Sequence, residues 1–365
     1  MTSSFSWKQS LTSIFALLSG SALARGLSAI VTMVIARQIG PQVYGQYSGS
    51  LALLGLSTAL FSLGLDPWLL YAGGQDPDKL NLRFGSALAI KGVMGLAWLI
   101  AWWSIAPHLD QASFPRILIV VGSLAVWLEE FATIAWSALK ARLRNDLTLV
   151  LMVCSQALFL AVTLWLSTRG TQDAASYMWG KLLAGLLAAG LSALVVARIV
   201  GLRFRTKAIG PTLRGTLPFA VSLAFTVIYG RADLAIVASK LGSEAAGVYA
   251  PALTVANVLF LIPAAIFGVL VPTLSGVNQA DAKWVRQTTK RFAMLTAPAG
   301  GLLAIALAWL SPAIVNLLFG ASYDSSADVL RVLSAVIAMR CLTTVFAAGL
   351  VAAGWQTSRM AVQGL

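Results

Sequence analysis

The sequence predicts an all-α polytopic membrane protein, and composition, apolar segment length and tryptophan content all support this fold class. Of the 365 residues, 58% are hydrophobic and only 11% are charged, whereas soluble domains carry about 25% charged residues. Ten successive segments are apolar over roughly 20 residues or more, the length that a helix needs to cross a bilayer. The 12 Trp residues are typical of the aromatic belts at membrane interfaces.

The ten predicted spans are joined by short connections, so we expect no extramembrane domain. The spans cover residues 11–36, 44–72, 84–106, 114–139, 147–167, 175–199, 215–240, 244–275, 291–318 and 329–353, and a stub, Trp355 to Leu365, follows.

Topology explains the net charge of +13 better than nucleic-acid binding does. Basic residues gather in the connections after even-numbered spans, which all lie on one side of the membrane. These clusters are Lys140, Arg142 and Arg144; Arg198, Arg203, Arg205, Lys207 and Arg214; and Lys283, Arg286, Lys290 and Arg291. The positive-inside rule then predicts a cytoplasmic N-terminus. Attraction of the clusters to anionic groups at the membrane surface is a further hypothesis.

A motif in the first inter-span connection recurs 202 residues later. Its shared positions are Ala36, Gly40, Gly45 and Tyr47 in the first copy, and Ala238, Gly242, Gly247 and Tyr249 in the second. Because six spans separate the copies, the halves would share one orientation and form a parallel repeat. The alternative is a chance likeness between two helical hairpins. We predict an N-terminal lobe of six helices over 1–204 and an incomplete C-terminal lobe over 205–365.

On this repeat, Leu365 corresponds to residue 163, inside the fifth span of the first half. We therefore expect the second half to stop within its fifth helix, giving about ten complete spans and a partial eleventh.

Five cations interrupt the apolar spans: Arg25, Lys91, Lys181, Arg231 and Arg340. A charge in hydrocarbon costs from ~3 to more than 10 kcal/mol, so such residues normally face water or a partner. Arg25 lies about 13 residues, or roughly 20 Å, from each end of its span, too far for its side chain to reach an interface. We predict a cavity that binds an anionic cargo. Structural ion pairs are the alternative, as is snorkelling for Lys91 and Lys181.

Carboxylates in the spans have two interpretations that the sequence leaves open. Glu129 and Glu130 lie mid-span and diverge by about 100° on a helix, so one residue at most faces a given neighbour. Together with Asp233 they are candidates for proton or sodium coupling. Alternatively, Glu129 and Glu130 neutralise Arg25 or Lys91. Asp66, between Gly64 and Pro67, indicates a helix break and a structural role.

Soluble-type catalysis has no support in the sequence. It contains no Gly-rich phosphate loop and no G-x-S-x-G or H-E-x-x-H motif. His108 stands alone, and Cys154 and Cys341 lie in separate spans, so we predict no metal site, no cofactor and no enzymatic activity.

The stretch Ala36-Arg37-Gln38-Ile39-Gly40-Pro41 with Tyr44-Gly45-Gln46-Tyr47 resembles the opening signature of polysaccharide-biosynthesis flippases. These are the Wzx-like O-antigen and exopolysaccharide transporters of the MOP superfamily, which also contains the MATE transporters. The second half is similar at Pro218, Tyr229, Arg231, Asp233, Gly242, Gly247 and Tyr249, and later at Pro263, Pro272, Leu317, Phe319, Gly320, Tyr323 and Leu330.

The resemblance implies two helical lobes around a central cavity. It also implies outward movement of an undecaprenyl-pyrophosphate-linked oligosaccharide, with a polymerase and a ligase as pathway partners. A multidrug or cation antiporter of the same superfamily is a competing reading, disfavoured by the five cations. A membrane-embedded polysaccharide polymerase is another, disfavoured by the short external loops. The last alternative is that the chain is an inactive remnant of such a transporter.

Overall fold

In a computed structural model, the backbone is described for residues 7–275 and 282–352, and side chains for 22–267, 270 and 286–350. The predicted stub after residue 354 lies outside these ranges. Eleven α-helices occur in the described part: α1 (Trp7–Leu56), α2 (Ala59–Ser62), α3 (Leu65–Gln75), α4 (Leu80–Ile105), α5 (Arg116–Ala141), α6 (Asn145–Thr168), α7 (Ala174–Ile199), α8 (Ile209–Leu259), α9 (Leu261–Ser275), α10 (Ala282–Phe319) and α11 (Ser326–Ala352).

Two of the helices, α1 and α8, bend sharply at the glycines of the repeated motif. Gly40 has φ 73° and ψ 171°, and Gly242 has φ 87° and ψ 179°. Side chains rarely adopt this left-handed region, which explains why glycine occupies both positions. The same backbone conformation thus occurs 202 residues apart, although the equivalence of the complete halves stays a prediction.

The helix connections of the first 200 residues lie on two opposite sides. On one side, Gln38 and Ser167 side chains are 3.3 Å apart, and the Gln46 amide donates to the Ala112 carbonyl at 2.9 Å. On the other side, the Arg203 N–H donates to the Asn81 carbonyl at 3.3 Å. The second side carries two of the basic clusters, those within residues 140–144 and 198–214.

Within the described ranges, eight helical stretches are long and apolar enough to cross a membrane. Two of them, Ala22–Ser62 and Thr206–Phe267, contain 41 and 62 residues. Because about 20 residues suffice for one crossing, and each stretch bends at a motif glycine, we interpret each as more than one span. The number ten stays a prediction.

The second span is interrupted near its middle. Helix α1 ends at Leu56, one helical turn follows as α2, and α3 begins at Leu65. Between α2 and α3, Leu63 and Gly64 both adopt left-handed φ values, 47° and 67°. The predicted break around Gly64 is therefore present, and it extends back to the end of α1.

Contacts divide the chain into two compact units, residues 1–247 and 248–365. In the first unit, α3, α4 and α5 share a buried apolar cluster that includes Leu69, Phe84 and Ile134. In the second, α9, α10 and α11 contribute Leu270, Ala293 and Val345 to another. The predicted lobe boundary after residue 204 remains a prediction.

Candidate transport site

Helix α5 carries two adjacent carboxylates that face different neighbours. Glu130 pairs with Lys91 of α4 at 2.9 Å, and Glu129 pairs with Lys181 of α7. This is the divergence expected of consecutive helical residues. The sequence left open whether these carboxylates neutralise a span cation, and the Glu130–Lys91 pair agrees with that interpretation. The Glu129–Lys181 pair was not predicted.

Lys91 lies at the centre of a polar cluster inside the first unit. Its side chain is 0% exposed, and its Nζ is 2.8 Å from an Asp66 carboxylate oxygen and 2.9 Å from Glu130. It also donates to the Thr133 hydroxyl at 3.3 Å, and the Ser62 hydroxyl donates to Asp66 at 3.0 Å. Lys91 therefore does not snorkel, and in this conformation it is closed to cargo.

Lys181 is less enclosed than Lys91. Its side chain is 15% exposed, while that of Glu129 is 41% exposed. The ammonium also lies 5.6 Å from the centre of the Phe159 ring, within the range of a cation–π contact. One carboxylate thus neutralises Lys181, and the pair has a partly open edge.

Arg25 and Arg231 contrast with both lysines. Each is exposed, and among the side chains that the structure describes no carboxylate lies within 4.0 Å of either guanidinium. The Arg231 guanidinium lies against Gly55, where an added Cβ would overlap it. Gly55 immediately precedes the break in the second span. Because an unpaired arginine is very costly in hydrocarbon, we interpret these exposed surfaces as water-facing.

Two further predicted site residues, Arg340 and Asp233, are half-buried. Arg340 of α11 is half-buried, with its guanidinium carbon 4.0 Å from the centre of the Phe260 ring in the same unit. Asp233 is half-buried on α8, and one of its carboxylate oxygens accepts from the Leu234 N–H at 2.7 Å.

The motif glycines allow two helices to approach within the first unit. A Cβ on Gly45 would overlap the Ser243 carbonyl oxygen, and one on Gly247 would overlap the Pro41 carbonyl oxygen. Farther along, a Cβ on Gly49 would lie 2.7 Å from that of Ala238. Tyr47 is buried beside Tyr44, with ring centres 6.3 Å apart, whereas Tyr249 is half-buried. The glycines therefore let the second span pack against α8.

The partnership between Asp66 and Lys91 was not predicted from the sequence. The position of Asp66 between Gly64 and Pro67 indicated only a helix break, and Lys91 lies 25 positions away in a different span. The available signal was charge balance, because Asp66 and Lys91 carry opposite charges inside consecutive apolar spans and a buried charge needs a partner.

Comparison with known proteins identifies the family. The profile of a family described as "Polysaccharide biosynthesis protein" matches residues 34–328. No curated protein sequence matches the chain significantly.

Solved structures share the fold at low sequence identity. One is "Lipid II flippase MurJ, inward closed conformation", with TM-score 0.67 and 15% identity, covering 93% of this chain and 76% of that one. Another, described as an inward-facing multidrug resistance MATE family transporter of the MOP superfamily, has TM-score 0.67 and 14% identity, covering 93% and 83%. A third, the MATE multidrug transporter DinF-BH, has TM-score 0.64 and 14% identity, covering 98% and 85%.

At such identities the structures establish the fold, while the sequence profile establishes the family. The chain therefore belongs to the polysaccharide biosynthesis protein family and has the helical fold shared by MATE transporters and the lipid II flippase MurJ.

Proposed function

We propose that the protein moves an undecaprenyl-pyrophosphate-linked oligosaccharide from the cytoplasmic to the outer face of a bacterial inner membrane. Family membership supports a role in polysaccharide assembly, and the fold is one that a lipid-linked glycan flippase uses. The N-terminus lies in the cytoplasm, as the basic connections indicate. A polysaccharide polymerase and ligase act on the translocated product.

The observation that carries this proposal is a pair of exposed arginines, Arg25 and Arg231, which have no carboxylate within 4.0 Å among the described side chains. A guanidinium presents a planar set of donors that binds two phosphate oxygens at once. Arg340 is a third cargo-binding candidate. Lys91 and Lys181 were also predicted to bind cargo, but their charges are matched by carboxylates, so we assign them a supporting role.

An inside-negative membrane potential favours movement of an anion out of the cell by about 2.3 kcal/mol per charge per 100 mV. Glu129, Glu130 and Asp233 are our candidates for an additional coupling to protons or sodium ions. Two conformations of different cargo affinity then give alternating access.

The test is translocation of a labelled undecaprenyl-pyrophosphate oligosaccharide in proteoliposomes. We expect Arg25→Ala and Arg231→Ala each to lower the initial rate about 10- to 100-fold, the equivalent of one charge-assisted hydrogen bond of ~1.5–3 kcal/mol. Arg116→Ala is the matched control, because Arg116 is exposed at the start of α5 and belongs to none of the basic clusters. Its rate should match that of the unmodified protein. Unchanged rates in well-folded Arg25→Ala and Arg231→Ala proteins would reject the proposal, as would transport of cationic dyes in place of the glycan.

A further inference from the structure

The Lys91 cluster contains more carboxylates than its lysine requires. Asp66 on α3 and Glu130 on α5 both contact the single ammonium. Lys140, in the last turn of α5, lies beyond ion-pair distance of Asp66 but within range of its electrostatic attraction. One buried lysine therefore has two anionic partners, which lie on two different helices.

This arrangement allows an exchange that a simple buried pair does not. Separating an isolated buried ion pair is costly, by about 3–5 kcal/mol, because a charge is left without a partner. If α3 moves relative to α4, Lys91 loses Asp66 but keeps Glu130. Asp66 keeps the longer-range attraction of Lys140. The movement therefore costs Lys91 one of its two contacts and leaves neither charge without an attracting partner.

The position of Asp66 connects this exchange to the interrupted span. Asp66 is in the first turn of α3, directly after left-handed Leu63 and Gly64. The Ser62 hydroxyl binds Asp66 across that junction. A leucine in the left-handed region is conformationally strained, so the segment 57–64 needs interactions on both sides to hold its shape.

We propose that Lys91 is a positioning residue that holds α3 in place through Asp66, and that its transfer to Glu130 alone allows α3 to slide about the break at 57–64. The sliding is of the small kind, about 1–2 Å, by which packed helices shift between discrete states. The apolar contacts of Leu65 and Leu69 with α4 and α5 persist, because such contacts are not directional. Lys91, predicted from the sequence to bind cargo, instead controls the shape of the second span.

Hydrogen–deuterium exchange of the amides of residues 57–66, in detergent or nanodiscs, tests the proposal without any transport assay. Asp66→Asn leaves Lys91 with Glu130 only, and exchange should become about tenfold faster as the break opens more often. Glu130→Gln leaves Lys91 with Asp66 only, and exchange should become slower by roughly threefold or more. Each variant retains a one-to-one ion pair, so both should fold.

Glu129→Gln is the matched control, because it removes the adjacent carboxylate of α5 and leaves the Lys91 cluster intact. It should not change exchange at 57–66. Asp66→Glu keeps the charge and should exchange like the unmodified protein. A static ion pair predicts that Asp66→Asn and Glu130→Gln change exchange in the same direction or not at all, and either result overturns the proposal. An Asp66→Glu protein that behaves like Asp66→Asn also overturns it.

The consequence for transport rests on the proposed function. There, Glu130→Gln should lower the turnover number and leave the apparent KM for the lipid-linked glycan unchanged, because it slows a conformational step. If the unmodified protein transports no glycan, the proposed function fails while the exchange result still decides the role of Lys91.

Discussion

Replacing Lys91 by Met should destabilise the protein far more than a like change at a surface lysine. Lys91 is fully buried, and its ammonium contacts two carboxylates that are themselves only 19% and 21% exposed. Removing the lysine leaves both carboxylates without their cation, at a cost of about 3–5 kcal/mol. Lys79 offers the comparison, because it pairs with Asp76 at 2.9 Å but is 67% exposed. Loss of such a surface pair costs about 0–1 kcal/mol.

The two variants should therefore differ by roughly 3 kcal/mol, about a 100-fold difference in the unfolding equilibrium constant. Equilibrium unfolding in a denaturing detergent, followed by tryptophan fluorescence, gives the free energy of unfolding of each variant. Adding Asp66→Asn and Glu130→Gln to Lys91→Met removes the unpaired charges and should restore most of the loss. A Lys91→Met protein as stable as Lys79→Met would refute the reasoning, as would a triple variant no more stable than Lys91→Met alone.

Three further predictions concern packing and capping, and each is measured as a change in the free energy of unfolding. Gly45→Ala should destabilise by about 1–3 kcal/mol, because its Cβ would overlap the Ser243 carbonyl oxygen. Gly26→Ala is the control on the same helix: no described atom lies within 4 Å of an added Cβ, so the change should be neutral or stabilising by about 0.5–1 kcal/mol. Equal losses in the two variants would contradict the close approach of the two helices. Asp173→Ala should cost about 1 kcal/mol, because the Asp173 carboxylate accepts the Ser176 N–H at 2.8 Å as the N-cap of α7; no loss would mean that water replaces the cap. Ser57→Ala should cost about 1–3 kcal/mol, because the Ser57 hydroxyl accepts hydrogen bonds from the indoles of Trp98 and Trp102 at 2.9 and 3.0 Å. Unchanged stability together with an unchanged near-UV circular dichroism spectrum would show that neither indole depends on this hydroxyl.

The fold class could be predicted from the sequence alone, because a membrane leaves few choices. Apolar segments long enough to cross a bilayer must be helical, since backbone groups have no water to bind there. The repeated motif identified Gly40 and Gly242, and both glycines have the left-handed conformation at a helix bend. The family could also be predicted from the sequence. Its signature includes Gly40 and Gly242, whose backbone conformation other residues rarely adopt.

The neutralisation of individual charges, in contrast, became visible only once the helices were packed together. Arg25, Lys91 and Arg231 are alike in sequence, each a cation inside an apolar span. Folding places Lys91 between Asp66 and Glu130 and leaves Arg25 and Arg231 exposed. The physical reason is that an ion pair between spans depends on helix rotation and on which helices are neighbours, and neither is encoded in the spacing of charges along one chain.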